Sequence, residues 1–328
     1  MSYNLKQPPY VIGMPTETVY GLAARIDFPP GIQAIFKIKE RPFFDPLIVH
    51  VSSIEQAKSL VKDWPAAADI LAMEFWPGPL TLVLPKADHV NPLITSGLET
   101  VGLRMPRHSM ALNLIQSEGV PLAAPSANKF GRTSPTTAQH VRAEFGTQVP
   151  VMDGGPCEVG LESTVLLIKA SAESTALSIL RPGGVKRADL EKCLEAHSLK
   201  ADWVDAVDKK ESPGHMKHHY MPEVPLILIR TKGLVESQIT QQIREKISAL
   251  PAEIEDVKIV KPRANFDKLT ELKLSEDPVI ASRQFYSELR LAAAQKPDVI
   301  LFYQSEIHQG EAWQALFDRL TKAASLIV

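Results

Sequence analysis

Pro15-Thr16-Glu17-Thr18-Val19-Tyr20-Gly21-Leu22 follows a short apolar run, Tyr10-Val11-Ile12-Gly13, that reads as a first strand. Two threonines, a glutamate and a tyrosine therefore stand at a strand exit, with a glycine to turn the backbone. Ligands of open α/β sheets gather at strand exits. A polar turn that only introduces the next element has the same composition, so the rest of the chain has to decide between them.

Three further polar clusters stand at apparent element ends. Ile32, Ile35 and Phe36 suggest a short helix stopped by Pro42, and Lys37, Lys39 and Arg41 crowd its end. Arg offers a bidentate fork and Lys a point charge, a pairing suited to phosphates. A solvated helix face has the same look. Asp45-Pro46-Leu47-Ile48-Val49-His50 then enters an apolar strand that His50 closes. In Thr100-Val101-Gly102-Leu103-Arg104-Met105, Arg104 projects opposite to Val101, Leu103 and Met105. A cation in mid-strand calls for an anion, either a structural carboxylate or a substrate's. Finally, Pro121 to Ala124 runs into Pro125-Ser126-Ala127-Asn128, and Gly131-Arg132-Thr133-Ser134-Pro135 follows. Small hydroxyl and amide residues let a backbone approach a ligand closely. Ser134 or Thr136 can equally cap a helix over 137–145.

These motifs carry a resemblance. Pro15 to Leu22, Lys39-x-Arg41, Ser126-x-Asn128, Glu162-Ser163-Thr164-Val165 and Leu180-Arg181-Pro182-Gly183-Gly184 look like the threonylcarbamoyl-AMP synthase family, the YrdC-like domain. The likeness runs through roughly residues 8 to 195 in consistent order, and the remaining chain resembles the longer, two-domain branch. Two positions depart from the pattern. Glu40 stands where the family usually has Gly, and Asp45 where it usually has Asn.

The resemblance implies a twisted, open, mixed-sheet α/β domain over 8–197, a linker or lid over 198–224, and a small Rossmann-like three-layer α/β domain over 225–328. It implies an L-threonine site of Thr18, His50, Arg104, Ala124, Ser163 and Thr164, with Arg104 on the amino-acid carboxylate. It implies an ATP site of Arg41, Asp45, Thr100, Ser126, Ser134, Arg181 and Tyr220, with Lys39 and Arg41 as catalytic cations. Tyr220, in a Pro-Gly…His-Tyr-x-Pro context, is expected to close over the nucleotide, although a tyrosine can as well pack a linker onto one domain. Mg2+ is expected with the ATP phosphates, and no protein metal site. The expected reaction joins threonine, bicarbonate and ATP into threonylcarbamoyl-AMP and pyrophosphate. A separate transferase would then use the product on tRNA next to the anticodon, and direct tRNA contact through Lys39 and Arg41 stays open.

The bulk properties agree. A length of 328 residues suggests two domains, and 45% apolar residues suffice for a sizeable core. A net charge of -2 argues against a generally basic nucleic-acid binder. Cys157 and Cys193 are the only cysteines, which suits a reduced compartment. Met1 to Lys6 has no signal-like core, and no apolar run approaches the roughly 20 residues a membrane span needs. A cytoplasmic protein is expected.

The pattern predicts helices at 54–61, behind a capping box of Ser53 and Gln56, and at 66–75. It predicts strands at 81–84, 149–152, 163–168 and 178–180. Beyond the linker it predicts strands at 225–229, 257–260 and 299–302, and helices at 234–250, 283–294 and 311–324. His215, His218 and His219 lack a carboxylate or cysteine at a supporting spacing, which disfavours a metal site. The chain has no P-loop, no nucleophile elbow and no Gly-x-Gly-x-x-Gly fingerprint. Its polar groups suit binding and orientation. A non-catalytic RNA-binding module is the main alternative, opposed by the lack of clustered aromatics for base stacking. A related carbamoyl-adenylate enzyme of hydrogenase maturation would need acylphosphatase and zinc-finger segments, which are missing.

Overall fold

The computed structural model describes the chain except residues 1–2, 172–173, 206–211, 215, 217, 231–240, 247–261 and 263–265. The helix expected at 234–250 is described only over 241–246, and the strand expected at 257–260 lies outside the described residues. The chain divides into two compact units, Met1–Lys129 with Pro135–His215, and Phe130–Ser134 with Met216–Val328.

The first unit is built on strands β1 (Ile12–Met14), β2 (Gly21–Arg25), β3 (Ile48–His50), β4 (Leu80–Pro85), β5 (Thr100–Arg104), β6 (Leu122–Ala123), β7 (Thr164–Ala170), β8 (Thr175–Arg181) and β9 (Asp202–Trp203). They form one mixed sheet of order β1-β2-β6-β3-β5-β4-β7-β8-β9. β3 is parallel to β5, β4 to β7 and β8 to β9, and the other neighbours are antiparallel. The helices are α1 (Pro29–Lys39), α2 (Ile54–Lys58), α3 (Ala66–Phe75), α4 (Pro92–Thr95), α5 (Ser109–Glu118), α6 (Ala138–Phe145) and α7 (Arg187–Ala196).

Strand alternation assigns the two faces. Val49, Leu82, Leu84, Val101, Leu103, Leu166 and Ile168 share the main core with apolar residues of α1, α2, α3, α4, α6 and α7. On the other face, α5 packs Ala111, Leu114 and Ile115 over β1, β2 and β6. Further along that face, Ile48, Val83, Val165, Leu167 and Leu180 form a separate small cluster. In register with these lie the polar residues of β3, β4, β5 and β8: His50 pairs with Arg104, Ile48 and Val83 both with Gly102, and Val165 with Thr81 and Arg181. The fold thus collects His50, Thr81, Arg104 and Arg181 on one face.

Several local expectations are corrected. Thr137 caps α6, accepting from His140 N, in place of Ser134 or Thr136. Gln56 closes its side of the α2 cap on Ser52 N rather than on Ser53, and α2 stops at Lys58. Residues 149–152 form no strand, because only Val151 bridges Gly13. Asp202–Trp203, read as linker, is the edge strand β9.

In the second unit, β10 (Leu226–Ile229), β11 (Leu269–Glu271), β12 (Val299–Tyr303) and β13 (Leu326–Ile327) form a parallel sheet of order β11-β12-β10-β13. Helical residues 241–246 make α8. α9 (Pro278–Ala294) starts five residues before the expected 283, since Asp277 caps it by accepting from Val279 N and Ile280 N. α10 spans Glu311–Ala323. β11 and β13 were not expected from the sequence, because two or three residues are too few to show a period.

Glu40 ends α1 in the left-handed conformation, φ 53° and ψ 36°. That position favours glycine, which carries no Cβ to strain. The Glu40 carboxylate also meets Lys129 Nζ at 2.8 Å, in an exposed pair worth little. Glu40→Gly is expected to stabilise the protein by about 0.5–1 kcal/mol. Denaturant unfolding checks it, and an unchanged or lower midpoint would show that the Lys129 pair matters more than the backbone.

Candidate functional site

Arg104 is the centre of the site. It closes β5, it is buried, and each of its three guanidinium nitrogens has a partner from another segment. Nε donates to Gly78 O at 3.1 Å, Nη1 to Thr18 Oγ1 at 2.9 Å, and Nη2 faces Glu17 Oε1 at 2.7 Å. The choice between a structural and a substrate anion therefore acquires a structural one, Glu17. A guanidinium has five N–H groups. The two hydrogen bonds use the Nε proton and one on Nη1, while Nη2 is held by charge, so N–H groups on both terminal nitrogens remain for a bidentate carboxylate.

The hydroxyls beside it have a direction. Thr16 Oγ1 donates to Val19 O at 2.6 Å and lies 2.9 Å from Thr18 Oγ1. A hydroxyl has one proton, so Thr18 is the donor to Thr16 and the acceptor from Arg104. The order is Arg104 to Thr18 to Thr16 to the Val19 carbonyl. What Thr18 still offers a ligand is a lone pair, which suits an amine or a hydroxyl.

His50 is 3% exposed and pairs in register with Arg104. Burial, and then the Arg104 charge, lower its pKa to about 3, so it is neutral at physiological pH. An unfolded histidine takes its proton near pH 6.5, but His50 takes it only near 3. Acidification through that window therefore favours the unfolded chain. Stability should fall by about 1.4 kcal/mol per pH unit from this residue alone as pH drops from 6.5 toward 3. A His50→Asn variant should lack that part of the slope, and parallel stability profiles from the two proteins would refute the assignment.

Beside Arg104, Thr81 Oγ1 lies 2.8 Å from Ser163 Oγ. Arg181 grips the same serine, with Nε and Nη2 on Ser163 O at 3.2 and 3.0 Å and Nη2 on Ser163 Oγ at 3.2 Å. Its Nη1 donates to Pro213 O at 3.3 Å. Thr164 is committed to the fold: its hydroxyl donates to Val185 O at 2.6 Å and accepts from Val185 N at 3.0 Å. Gly102 lies between these groups, and a Cβ there would come within 3.3 Å of Thr81 Cγ2 and 3.6 Å of Ile48 Cγ1. It lines a small cavity with Thr81, Thr95, Thr100, Val165 and Pro213. Ala124 donates its N–H to Ile48 O at 3.0 Å and packs beneath Gly21.

The cationic cluster is held just as firmly. Lys39 is buried, and its ammonium donates to the carbonyls of Ser126 and Asn128. Burial, with Arg41 adding to it, holds its pKa well below the ordinary lysine range. Arg41 donates through Nε to Asp45 O at 3.1 Å and through Nη2 to Pro46 O at 2.7 Å, and Nη2 meets the Asp45 carboxylate at 3.0 Å. Asp45, fully buried, is thus the counterion of Arg41.

Ser134 and Tyr220 belong to the second unit. Ser134 is buried there. The Tyr220 ring, also buried, lies 5.9 Å from the Tyr286 ring and under the Arg319 guanidinium at 5.5 Å, and its carbonyl accepts from Thr133 Oγ1 at 3.3 Å. Tyr220 therefore packs its segment within one unit. The first unit brings Thr18 and His50 onto Arg104, Ser163 onto Thr81 and Arg181, and Lys39, Arg41, Asp45 and Ser126 around the end of α1. Glu17, Gly78 and Thr81 were not among the candidates. Thr81, a lone hydroxyl in the apolar run Leu80 to Leu84, was the readable signal. Among the described residues no three His, Cys, Asp or Glu side chains cluster as metal ligands, and no helix is long and apolar enough to cross a membrane.

Comparison with known proteins finds relatives over most of the chain. Residues 7–183 match the Sua5/YciO/YrdC family, described as telomere recombination, and residues 185–325 match the C-terminal domain of threonylcarbamoyl-AMP synthase. The threonylcarbamoyl-AMP synthase of Pyrococcus abyssi is 36% identical over 96% of this chain and 90% of its own length. That of Schizosaccharomyces pombe is 33% identical over 98% and 87%. The crystal structure of P. abyssi Sua5 complexed with L-threonine superposes with a TM-score of 0.78 at 33% identity, covering 97% of this chain and 92% of that one.

Proposed function

The chain belongs to the threonylcarbamoyl-AMP synthase family, and from that premise we propose that it condenses L-threonine, bicarbonate and ATP into threonylcarbamoyl-AMP and pyrophosphate. The observation that carries this reading is the buried Arg104, fixed by Gly78, Thr18 and Glu17 with N–H groups on both terminal nitrogens still to donate. A guanidinium so placed suits an amino-acid carboxylate. Thr18, with a lone pair to offer, suits the amine or hydroxyl of the same molecule.

In this reading bicarbonate, dehydrated to CO2 with release of water, adds to the neutral threonine amine, which loses a proton and becomes a carbamate. A carbamate oxygen attacks the α-phosphorus of ATP, and pyrophosphate leaves. No covalent enzyme intermediate is needed, so the enzyme contributes proximity and charge. Orientation supplies on the order of 7–11 kcal/mol in the best intramolecular cases. Lys39 and Arg41 would face the phosphates, with Ser126, Thr100 and Arg181 around the nucleotide. Their ties to backbone carbonyls and to Asp45 keep the cations in place before ATP arrives, so little reorganisation accompanies the reaction. In this reading Mg2+ enters as part of the substrate MgATP. On the same reading the chain is a nucleotidyltransferase of the cytoplasm, and its product supplies a separate transferase acting on tRNA.

The test is pyrophosphate release from MgATP and bicarbonate with and without L-threonine. Threonine-dependent release with an adenylate of the expected mass is the expected result. Release independent of threonine, or none, would overturn the reading, and saturable tRNA binding without release would favour the RNA-binding alternative.

A further inference from the structure

We propose that Glu17 is a positioning residue of the amino-acid subsite, acting on substrate through Arg104. The inference rests on the function proposed above. Glu17 stands inside the Pro15–Leu22 segment and is 2% exposed. Its Oε1 is 2.7 Å from Arg104 Nη2, and among the described residues neither atom has another partner. Its other oxygen accepts from Arg107 N at 3.0 Å, and its carbonyl accepts from Val159 N at 2.8 Å. Glu17 is therefore anchored by Arg107 and Val159 while it holds Arg104.

A buried ion pair is a poor device for stability, because both charges lose their hydration. Its clearest use is to fix geometry. Gly78 O and Thr18 Oγ1 each hold one edge of the guanidinium. Without Glu17 the rigid, planar guanidinium could swing about the Cδ–Nε bond by bending the hydrogen bonds to Gly78 O and Thr18 Oγ1, its only other ties among the described residues. With Glu17 all three nitrogens are held, and the N–H groups left on Nη1 and Nη2 keep one direction. Pairing also spares Arg104 from sitting buried and uncompensated before threonine arrives. Glu17 does not touch the reacting atoms, so its effect should appear in threonine binding and leave ATP binding alone.

The experiment compares wild type, Glu17→Gln and Glu17→Asp as full-length proteins, using threonine-dependent pyrophosphate release. Glutamine keeps an acceptor for Arg107 N and loses the charge. Aspartate keeps the charge but draws it back by one methylene. The expected result is a KM for threonine raised about tenfold or more in Glu17→Gln, a KM for ATP within about twofold of wild type, and a smaller rise in Glu17→Asp. Thermal stabilisation by added threonine should shrink in step, while stabilisation by ATP stays. A threonine KM within twofold of wild type overturns the inference. So does a parallel rise in both KM values, which marks a general structural role. If Glu17→Gln does not fold, the same ratio is read from Glu17→Asp under the same criteria. If wild type itself shows no threonine dependence, the functional reading fails and the inference falls with it. That outcome is distinct from a threonine-dependent wild type that Glu17 variants leave unchanged.

Discussion

Arg104→Ala is expected to raise the KM for threonine by about two orders of magnitude, the equivalent of two charge-assisted hydrogen bonds to a carboxylate. The same change should cost stability, because it strands the Glu17 carboxylate inside the protein. Removing one partner of a buried pair typically costs about 3–5 kcal/mol. The two effects separate in the double variant Glu17→Gln, Arg104→Ala. Stability should return in part, since no buried charge is left alone, whereas the threonine KM should stay high, since the carboxylate has no guanidinium. Denaturant unfolding and steady-state kinetics on the four proteins complete the cycle. Unchanged threonine kinetics in Arg104→Ala would remove this residue from the amino-acid site.

The second large effect is expected at Gly183. A Cβ there would lie 2.2 Å from Thr164 N, 2.3 Å from Ser163 C and 2.5 Å from Glu162 O. All three are backbone atoms, so no side-chain rotation relieves the overlap. The strand entry at 162–164 would have to move. With it would move Ser163, gripped by Arg181, and Thr164, tied to Val185. Gly183→Ala should therefore destabilise by about 3 kcal/mol or more and remove activity. Gly184→Ala makes a control, because its Cβ meets only the edge of the Pro79 ring, at 2.9 and 3.0 Å, and the Val159 side chain at 3.3 Å. Equal unfolding midpoints for wild type and Gly183→Ala would show that the loop yields more easily than its backbone contacts imply.

The Leu180 to Gly184 motif illustrates how far its residues could be read. As sequence it marks a turn with a cation. In the fold it becomes a clasp, with Arg181 and Gly183 closing on a segment 18 residues earlier. Asp45 behaves in the same way. A carboxylate stands where the family usually has an amide, and its neighbour in space is Arg41, four residues back. Glu40, the other departure, marks a left-handed helix end where a glycine would be unstrained.

The sequence by itself determined the alternation that sends Val101 and Leu103 to the core and Arg104 to the opposite face, and the span of α3. It also showed most of the strands long enough to carry a period, and the order of the motifs. These depend on neighbours within a few residues, where backbone geometry sets which side chains share a face. Only the tertiary structure decided which groups meet. The order β3-β5-β4-β7-β8 lays His50, Arg104, Thr81 and Arg181 side by side, and Arg104 finds Thr18, 86 residues earlier, and Glu17 beside it. Lys39 likewise finds its acceptors on Ser126 and Asn128. A buried charge must be satisfied by whatever polar atom the packing brings within about 3 Å, and packing is a property of the assembled sheet rather than of any local stretch of chain.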